Sequence, residues 1–392
     1  MSAEHIPSSI SLLDKLVSFA SVAGTSNLAI AAWIENALAP YGISFSRFAN
    51  RDGDRTNLWA TIGPKDVPGV ILSGHLDVVP ATSTDPSYDP FSMTVTDGSA
   101  HGRGTTDMKG FVACAMRAAM LASRGVLKRP LHLAFSYDEE LGCVGVRDML
   151  DGLHDLAVKP LFCLVGEPTE MQVVVAHKGK VMGRIRCHGT PGHSSDPLSG
   201  VNAIQLAANV VVMVGLMQES MTQAQAAPGF TVPFSTIHVG IISGGSALNV
   251  IPAQCEISFE IRNAPVDDID AILRDLRDRA AAVASDFGNG ASVTIEIDNQ
   301  YPPLDTNPNS PEALFLLALT DSKETLKVSY GTEAGLFAQY LGVPALVCGP
   351  GSVKQAHRAD EFISVQQLDA YDALLARLTA LLETDFSMRT RP

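Results

Sequence analysis

The sequence predicts an α/β protein interrupted by a second domain of α+β type. Short apolar runs such as GVILSG at 69–74 and LHLAFSY at 131–137 alternate with helical periodicity, the rhythm of a sheet covered by helices. The same rhythm resumes after residue 299 and runs to the end of the chain. Between the two stretches, 180–298 reads as strand, long helix, two strands, helix and strand, an order that suits a compact α+β insertion.

The elements follow in order. Apolar spacing predicts helices at 8–20, 27–39 and 107–124, and strands at 57–62, 69–74, 131–137 and 161–165. In the insertion, KVMGRIRCHG is a strand, VNAIQLAANVVVMVGLM a long helix, and 219–235 an irregular Pro/Gly/Gln segment. STIHVGIIS and VIPAQCEISFEIR are strands, DDIDAILRDLRDRAAAVASDF a helix, and SVTIEI the last strand. A helix at 310–319, strand LKVSY, helix EAGLFAQYL, strand PALVCG and an amphipathic helix at 365–384 complete the chain. The expected division is a first domain of 1–179 and 299–392 with 180–298 inserted.

Bulk properties narrow the function. The 392 residues, 46% hydrophobic and 18% charged, can bury ordinary globular cores. A net charge of −14 argues against a broad surface for nucleic acid or anionic lipid. No apolar run of about 18 residues is evident, and the amino terminus has no basic region followed by an apolar stretch, so the expected location is the cytoplasm. The six cysteines stand singly in apolar context, as reduced small hydrophobes rather than a disulfide framework or thiolate metal site.

Five junctions between a strand and its following loop carry acids or imidazoles. In LSGHLDVVP, His75 and Asp77 lie two apart and share a face of an extended chain. That is a ligand and a group to orient it, or merely a histidine at a strand end. HGRGTTDMKG suggests a phosphate loop, but Asp107 stands where a dinucleotide fingerprint needs glycine, and no GK[ST] closes it. Asp107 is expected to open a helix, with its oxygens free to reach a cation. FSYDEELGC places Asp138, Glu139 and Glu140 in a row, CLVGEPTE ends on Glu167, and GPGSVKQAHRADEF delivers His357. Strand carboxyl ends in an open α/β sheet line one crevice. Two histidines and several carboxylates gathered there form an N/O set suited to zinc or a similar divalent ion, with more acid than one ion needs.

At these residues the chain resembles the co-catalytic zinc aminoacylase and carboxypeptidase-like amidohydrolase family. The likeness runs through SGHLDVVP, GRGTTDMKG, DEELG, GEPT, GTPGHSS, GGSALNVIP, GTEAG and GPGSVKQAH, and YGTEAGLF looks most like the family's acetylornithine deacetylase branch. The resemblance implies a mixed-sheet, zinc-exopeptidase-like catalytic domain with an inserted lid and dimerisation domain. It also implies two divalent ions, zinc with cobalt or manganese as alternatives.

Carried over by motif, His75, Asp107, Glu140, Glu167 and His357 are the metal ligands, with Asp107 bridging. Asp77 orients His75, and Glu139 is the general base that takes a proton from the attacking water. His193 of GTPGHSS reaches the partner subunit's site as an oxyanion donor, so the resemblance implies a homodimer through the inserted domain. Asn249 and Arg262 bind substrate. Gly179 and the Tyr301, Pro302, Pro303 run are the expected hinges. The implied reaction removes the acyl group of an N-acyl amino acid, N-acetylornithine for this branch; the alternative is a deacylase, decarbamoylase or dipeptidase of the same family acting on another N-acyl amino acid such as succinyl-diaminopimelate. A catalytically silent binding protein on the same fold is the competing class, and it predicts a broken ligand set. Asp138 is left with a structural part, shaping the turn.

Overall fold

The computed structural model describes residues 6–81, 89–223, 226–288, 290–385 and 388. Two compact units emerge, one comprising Met1–Ala176, Leu304–Lys327 and Thr332–Pro392, the other His177–Pro303 and Val328–Gly331.

The first unit is built on a nine-stranded mixed sheet. At its centre Leu131–Ser136, Val70–His75, Phe162–Pro168 and Ala345–Gly349 run parallel as neighbours, in that order. All four are buried along their whole length, as expected for strands covered on both faces. Helix Gly110–Ala122 is buried at nearly every position, Arg117 being the main polar break. A helix apolar all round belongs inside. Leu13, Leu16, Val112, Met116, Tyr371 and Leu374 are at or near zero exposure in the shared core, each such side chain worth roughly 1.5–3 kcal/mol of burial.

Two glycines fix how closely that helix approaches the sheet. A Cβ at Gly166 would overlap the Phe111 ring, and one at Gly74 would stand 2.9 Å from both Phe111 and Met108. Bare backbone at Gly74 and Gly166 therefore lets the start of the helix settle directly behind His75 and Glu167. The dipeptides Gly-His and Gly-Glu at the strand ends are packing devices as well as carriers of polar groups.

The second unit is a four-stranded antiparallel sheet ordered Thr236–Gly244, Gln254–Arg262, Lys180–His188, Ser292–Tyr301. Burial alternates along Lys180–His188, so Val181, Ile185 and Cys187 face a core with Leu206, Val210 and Leu276 of helices Ala203–Thr222 and Ile269–Phe287. The opposite face carries a charge ladder in which Arg184 pairs with Asp298 at 2.6 Å and Arg186 with Glu256 at 2.8 Å. By length and composition Ala203–Thr222 is apolar enough to cross a membrane. Its Leu206, Ala207, Val210, Val214 and Met217 are buried in this core.

Several expectations need correction. The helix expected from 107 begins at Gly110, with Asp107 in a non-helical turn of φ −127°, ψ 93° and a cis bond to Met108. The N–H groups of Thr106 and Asp107 are taken by a carboxylate instead of by helical geometry. The strand expected over 250–262 breaks into Val250–Ile251 and Gln254–Arg262, because Pro252 cannot donate to a ladder. The long helix runs on to Thr222, into the segment expected to be irregular. Strands Phe45–Ala49 and Val173–His177 and helix Val146–Leu153 went unread in the sequence. All six cysteines are buried and unpaired.

Candidate metal centre

The four central strands bring their carboxyl ends together. His75 is the last residue of its strand, Glu167 sits near the end of the next, and the chain after Ser136 turns out of the sheet before Glu139. Asp138 makes that turn at φ +52°, and Gly142 at +97° completes it. His357 arrives on the loop after Ala345–Gly349, itself at φ +63°.

One carboxylate joins the two imidazoles. Oδ1 of Asp107 lies 3.2 Å from His75 Nε2, and Oδ2 lies 3.3 Å from His357 Nε2. His357 Nε2 is also 3.1 Å from Glu140 Oε1, and His75 Nε2 is 3.9 Å from Glu167 Oε1. His75 Nδ1 meets the Asp77 backbone carbonyl at 2.9 Å. That contact fixes the ring and leaves Nε2 to face the acids. The five expected ligands thus converge in one place.

The electrostatics are those of crowded acid. Burial pushes Asp77 up to about 6 and Glu139 to about 8, the latter helped by Glu140, Glu333 and Asp77. Burial and the neighbouring Asp107 raise Glu167 well above the usual carboxyl range. Burial also opposes ionisation of Asp107, but hydrogen bonds from His357 and His75 hold its carboxyl below the ordinary range. Hydrogen bonds to Asp107 and Glu140 drive His357 up to about 10. His75, although desolvated, is raised by its bond to Asp107 and by Asp77 and Glu167. Divalent cations would relieve that crowding. The donor set fits such ions, since His75, Asp107 and Glu140, and likewise His75, Glu139 and Glu167, offer ligand atoms within 4.8 Å of one another.

The structure sharpens two assignments. The Asp77 carboxylate stands 3.6 Å from His75 Nδ1 and instead accepts the backbone N–H groups of Glu139 and Glu140, each at 3.1 Å. It orders the chain that carries those acids, while its own backbone carbonyl orients the imidazole. Asp138 accepts Gly24 N–H at 2.7 Å and Arg55 Nη1 at 2.5 Å, tying the turn to distant chain as well as shaping it. Two buried acids were missed. Glu361 takes the N–H groups of the Asp107 turn, and Glu333 accepts Ser73 Oγ at 3.5 Å with burial pushing it up to about 7. The GTEAG and ADEF strings were the available signals.

In the second unit, the short pairing of Gly192–His193 with Val250–Ile251 sets His193 beside Asn249. Both are exposed. Nδ1 of His193 is 2.7 Å from Ser195 Oγ, and Ser194 N–H donates to the Asn249 carbonyl at 3.1 Å. A groove of about 520 Å³ beside them is lined by Ser194, Asn202, Leu248 and Val250. Arg262 lies at the far end of Gln254–Arg262, donating to Glu260 at 2.6 Å and to the Tyr301 hydroxyl at 3.1 Å. Within one chain, Arg262 is therefore apart from the pair formed by His193 and Asn249.

Comparison with known proteins supplies the class. Residues 71–381 match the model of Peptidase family M20/M25/M40. The chain belongs to that family and is a metal-dependent amidohydrolase. It is 33% identical to the acetylornithine deacetylase of Proteus mirabilis (strain HI4320), over 95% of this chain and 96% of that protein. It is 36% identical to the acetylornithine deacetylase of Shigella sonnei (strain Ss046), over 80% of each. Among solved structures, an M20 family metallo-carboxypeptidase from Sulfolobus solfataricus superposes with a TM-score of 0.77 at 17% identity, covering 96% of this chain and 99% of that one. A dinuclear metal binding peptidase of the M20 family from Bacillus subtilis gives 0.67 at 16%, covering 95% and 97%. At such identities these two speak for the fold.

Proposed function

We propose that this protein hydrolyses the amide of an N-acyl amino acid, N-acetylornithine to ornithine and acetate, at a centre of two divalent ions. The observation that carries the reading is Asp107, whose two oxygens face two different imidazoles. Names support the rest, since curated relatives that span nearly the whole chain are acetylornithine deacetylases and one structural neighbour is described as a dinuclear metal binding peptidase.

In this reading His75 and Glu167 would hold one ion and Glu140 and His357 the other, with Asp107 in reach of both. Zinc is the natural occupant, with cobalt and manganese compatible with the same donors. Such ions supply a water of lowered pKa and polarise the amide carbonyl. Glu139 takes the proton of the attacking water and delivers it to the departing nitrogen, so base becomes acid. Its backbone N–H is held by Asp77 Oδ1, which fixes the chain from which the carboxyl extends. The products are a carboxylate and a free amine.

The second unit acts as lid and dimer contact. Ile241 and Ile242 on strand Thr236–Gly244 and Val212 and Leu216 on helix Ala203–Thr222 are 51–66% exposed, apolar surface suited to a second copy of the chain. In a homodimer His193 would serve the partner subunit's site as an oxyanion donor, with Asn249 beside it on the substrate. Arg262, a planar fork for the substrate carboxylate, would act elsewhere on the same unit.

The test is an assay of purified protein on N-acetyl, N-succinyl, N-formyl and N-carbamoyl amino acids, with metal content measured on the same sample. Turnover of N-acetylornithine with two ions per chain is expected. Activity confined to other acyl groups removes the substrate, and saturation below two ions per chain removes the dinuclear centre.

A further inference from the structure

Asp107 has to present one oxygen to each side of the centre, yet it sits in an irregular turn that no helix stiffens. Its order comes from Glu361. This side chain is 1% exposed. Its Oε1 accepts the N–H groups of Thr106 at 3.0 Å and Asp107 at 3.1 Å, and its Oε2 accepts Gly104 N–H at 2.9 Å and Arg103 Nη1 at 2.7 Å. The Glu361 carbonyl accepts Gly102 N–H at 3.0 Å. Five contacts, from Gly102, Arg103, Gly104, Thr106 and Asp107, end on one residue.

The backbone explains how it gets there. Phe362–Ser364 pairs antiparallel with Ser99–His101, so Glu361 leaves its strand just where the 102–107 turn leaves the other. Four residues before Glu361 stands His357, the second imidazole on Asp107. A single short stretch therefore delivers a direct partner of the Asp107 side chain and the acceptor for its backbone. Ser352 N–H adds a bond to Thr106 Oγ1 at 3.2 Å from the same loop.

We propose that Glu361 is the positioning residue of the centre, a carboxylate that ligates nothing but fixes the Asp107 turn so that both its oxygens are aimed before any ion arrives. Four N–H donors on two oxygens require a full carboxylate, since an amide offers one acceptor and turns two N–H groups on the remaining donors. Groups that orient metal ligands are worth about 10–100-fold in metal affinity. The inference rests on the dinuclear reading of the site.

The test compares wild type, Glu361→Gln and Arg103→Met as apo-proteins. Metal affinity is read by chelator competition with zinc, and ligand geometry by visible absorption after loading with cobalt(II). Glu361→Gln is expected to keep the far-ultraviolet circular dichroism of wild type, to weaken metal binding by about 10–100-fold, and to alter the cobalt spectrum. Arg103→Met, which removes one donor of the four, is expected to weaken binding less. A residue that served only overall folding would lower the melting temperature with affinity and spectrum unchanged, and that result in Glu361→Gln overturns the proposal. If Glu361→Gln does not fold, Arg103→Met decides alone: weakened binding supports the proposal and wild-type binding overturns it. A wild type that binds one ion overturns the dinuclear reading instead.

Discussion

In the first unit His75 is 1% exposed and held on both ring nitrogens, and the acids around it are ordered by backbone N–H groups from neighbouring turns. In the second, His193 stands exposed on a two-residue strand pair and Asn249 in the turn just before the partner strand, with His193 bonded to its own near neighbour Ser195. A buried, cross-braced group is pre-organised for ions, which tolerate little error in ligand position. An exposed one on a short ladder is ready to meet something that arrives later. Under the proposed function, the contrast separates groups that hold the ions from groups that meet the substrate or a partner chain.

The largest expected effect falls on the first unit. Glu139→Gln removes the proton acceptor and keeps the side-chain volume, so turnover should fall about 10²–10⁴-fold with metal content intact. Loss of metal together with activity would make Glu139 a ligand instead. Asp107→Asn should weaken both metal positions together, read as a fall in metal bound per chain. Retention of two tightly held ions would break the bridging assignment.

The second unit yields the next effect. His193→Ala should cost about 10²–10³ in rate with metal binding unaltered. Mixing and reassembling Glu139→Gln and His193→Ala chains should restore activity that neither has, because a mixed dimer of the proposed kind would contain one complete site. Absence of any recovery would place His193 in its own chain's site or outside the mechanism.

Smaller effects concern stability, and each unit contributes one buried neutral imidazole. His132 stacks on Trp59 at 4.9 Å in the first unit, and His177 is buried in the second; burial depresses both to about 4. The unfolded chain takes up those protons near 6.5. Their contribution is therefore whole above about pH 6.5 and lost as pH falls toward 4. Melting temperature against pH should drop through that window, and His132→Gln should make the drop shallower. An unchanged slope would mean that other groups govern acid unfolding.

The clustering of the expected ligands was legible because each stands at the end of an apolar strand, in the loop that follows one, or in a Gly-rich turn, positions read by counting along the chain. Asp77 was read as the group that orients His75 and Asp138 as a shaper of its turn, but the partners of their carboxylates were not legible. Their partners are Gly24 and Arg55 for one and the Glu139 and Glu140 amides for the other, and nothing in sequence spacing announces a bond across 83 or 114 residues. Glu361 looked like one polar neighbour of His357 among several. Asp107 was read as a helix opener because acid before an apolar periodic run is an ordinary helix start. Only the acceptor waiting for its N–H groups makes it otherwise.

The site's halves come from the two chain segments that flank the second unit. His75, Asp107, Glu140 and Glu167 lie in Met1–Ala176, while His357 and Glu361 lie in Thr332–Pro392. A ribosome that has made the first 300 residues has produced most of the acids but neither the last imidazole nor the residue that steadies Asp107. For that interval Asp107 and Glu140 lack His357, and the Asp107 turn lacks Glu361, partners that arrive with the carboxyl-terminal segment that also supplies strand Ala345–Gly349.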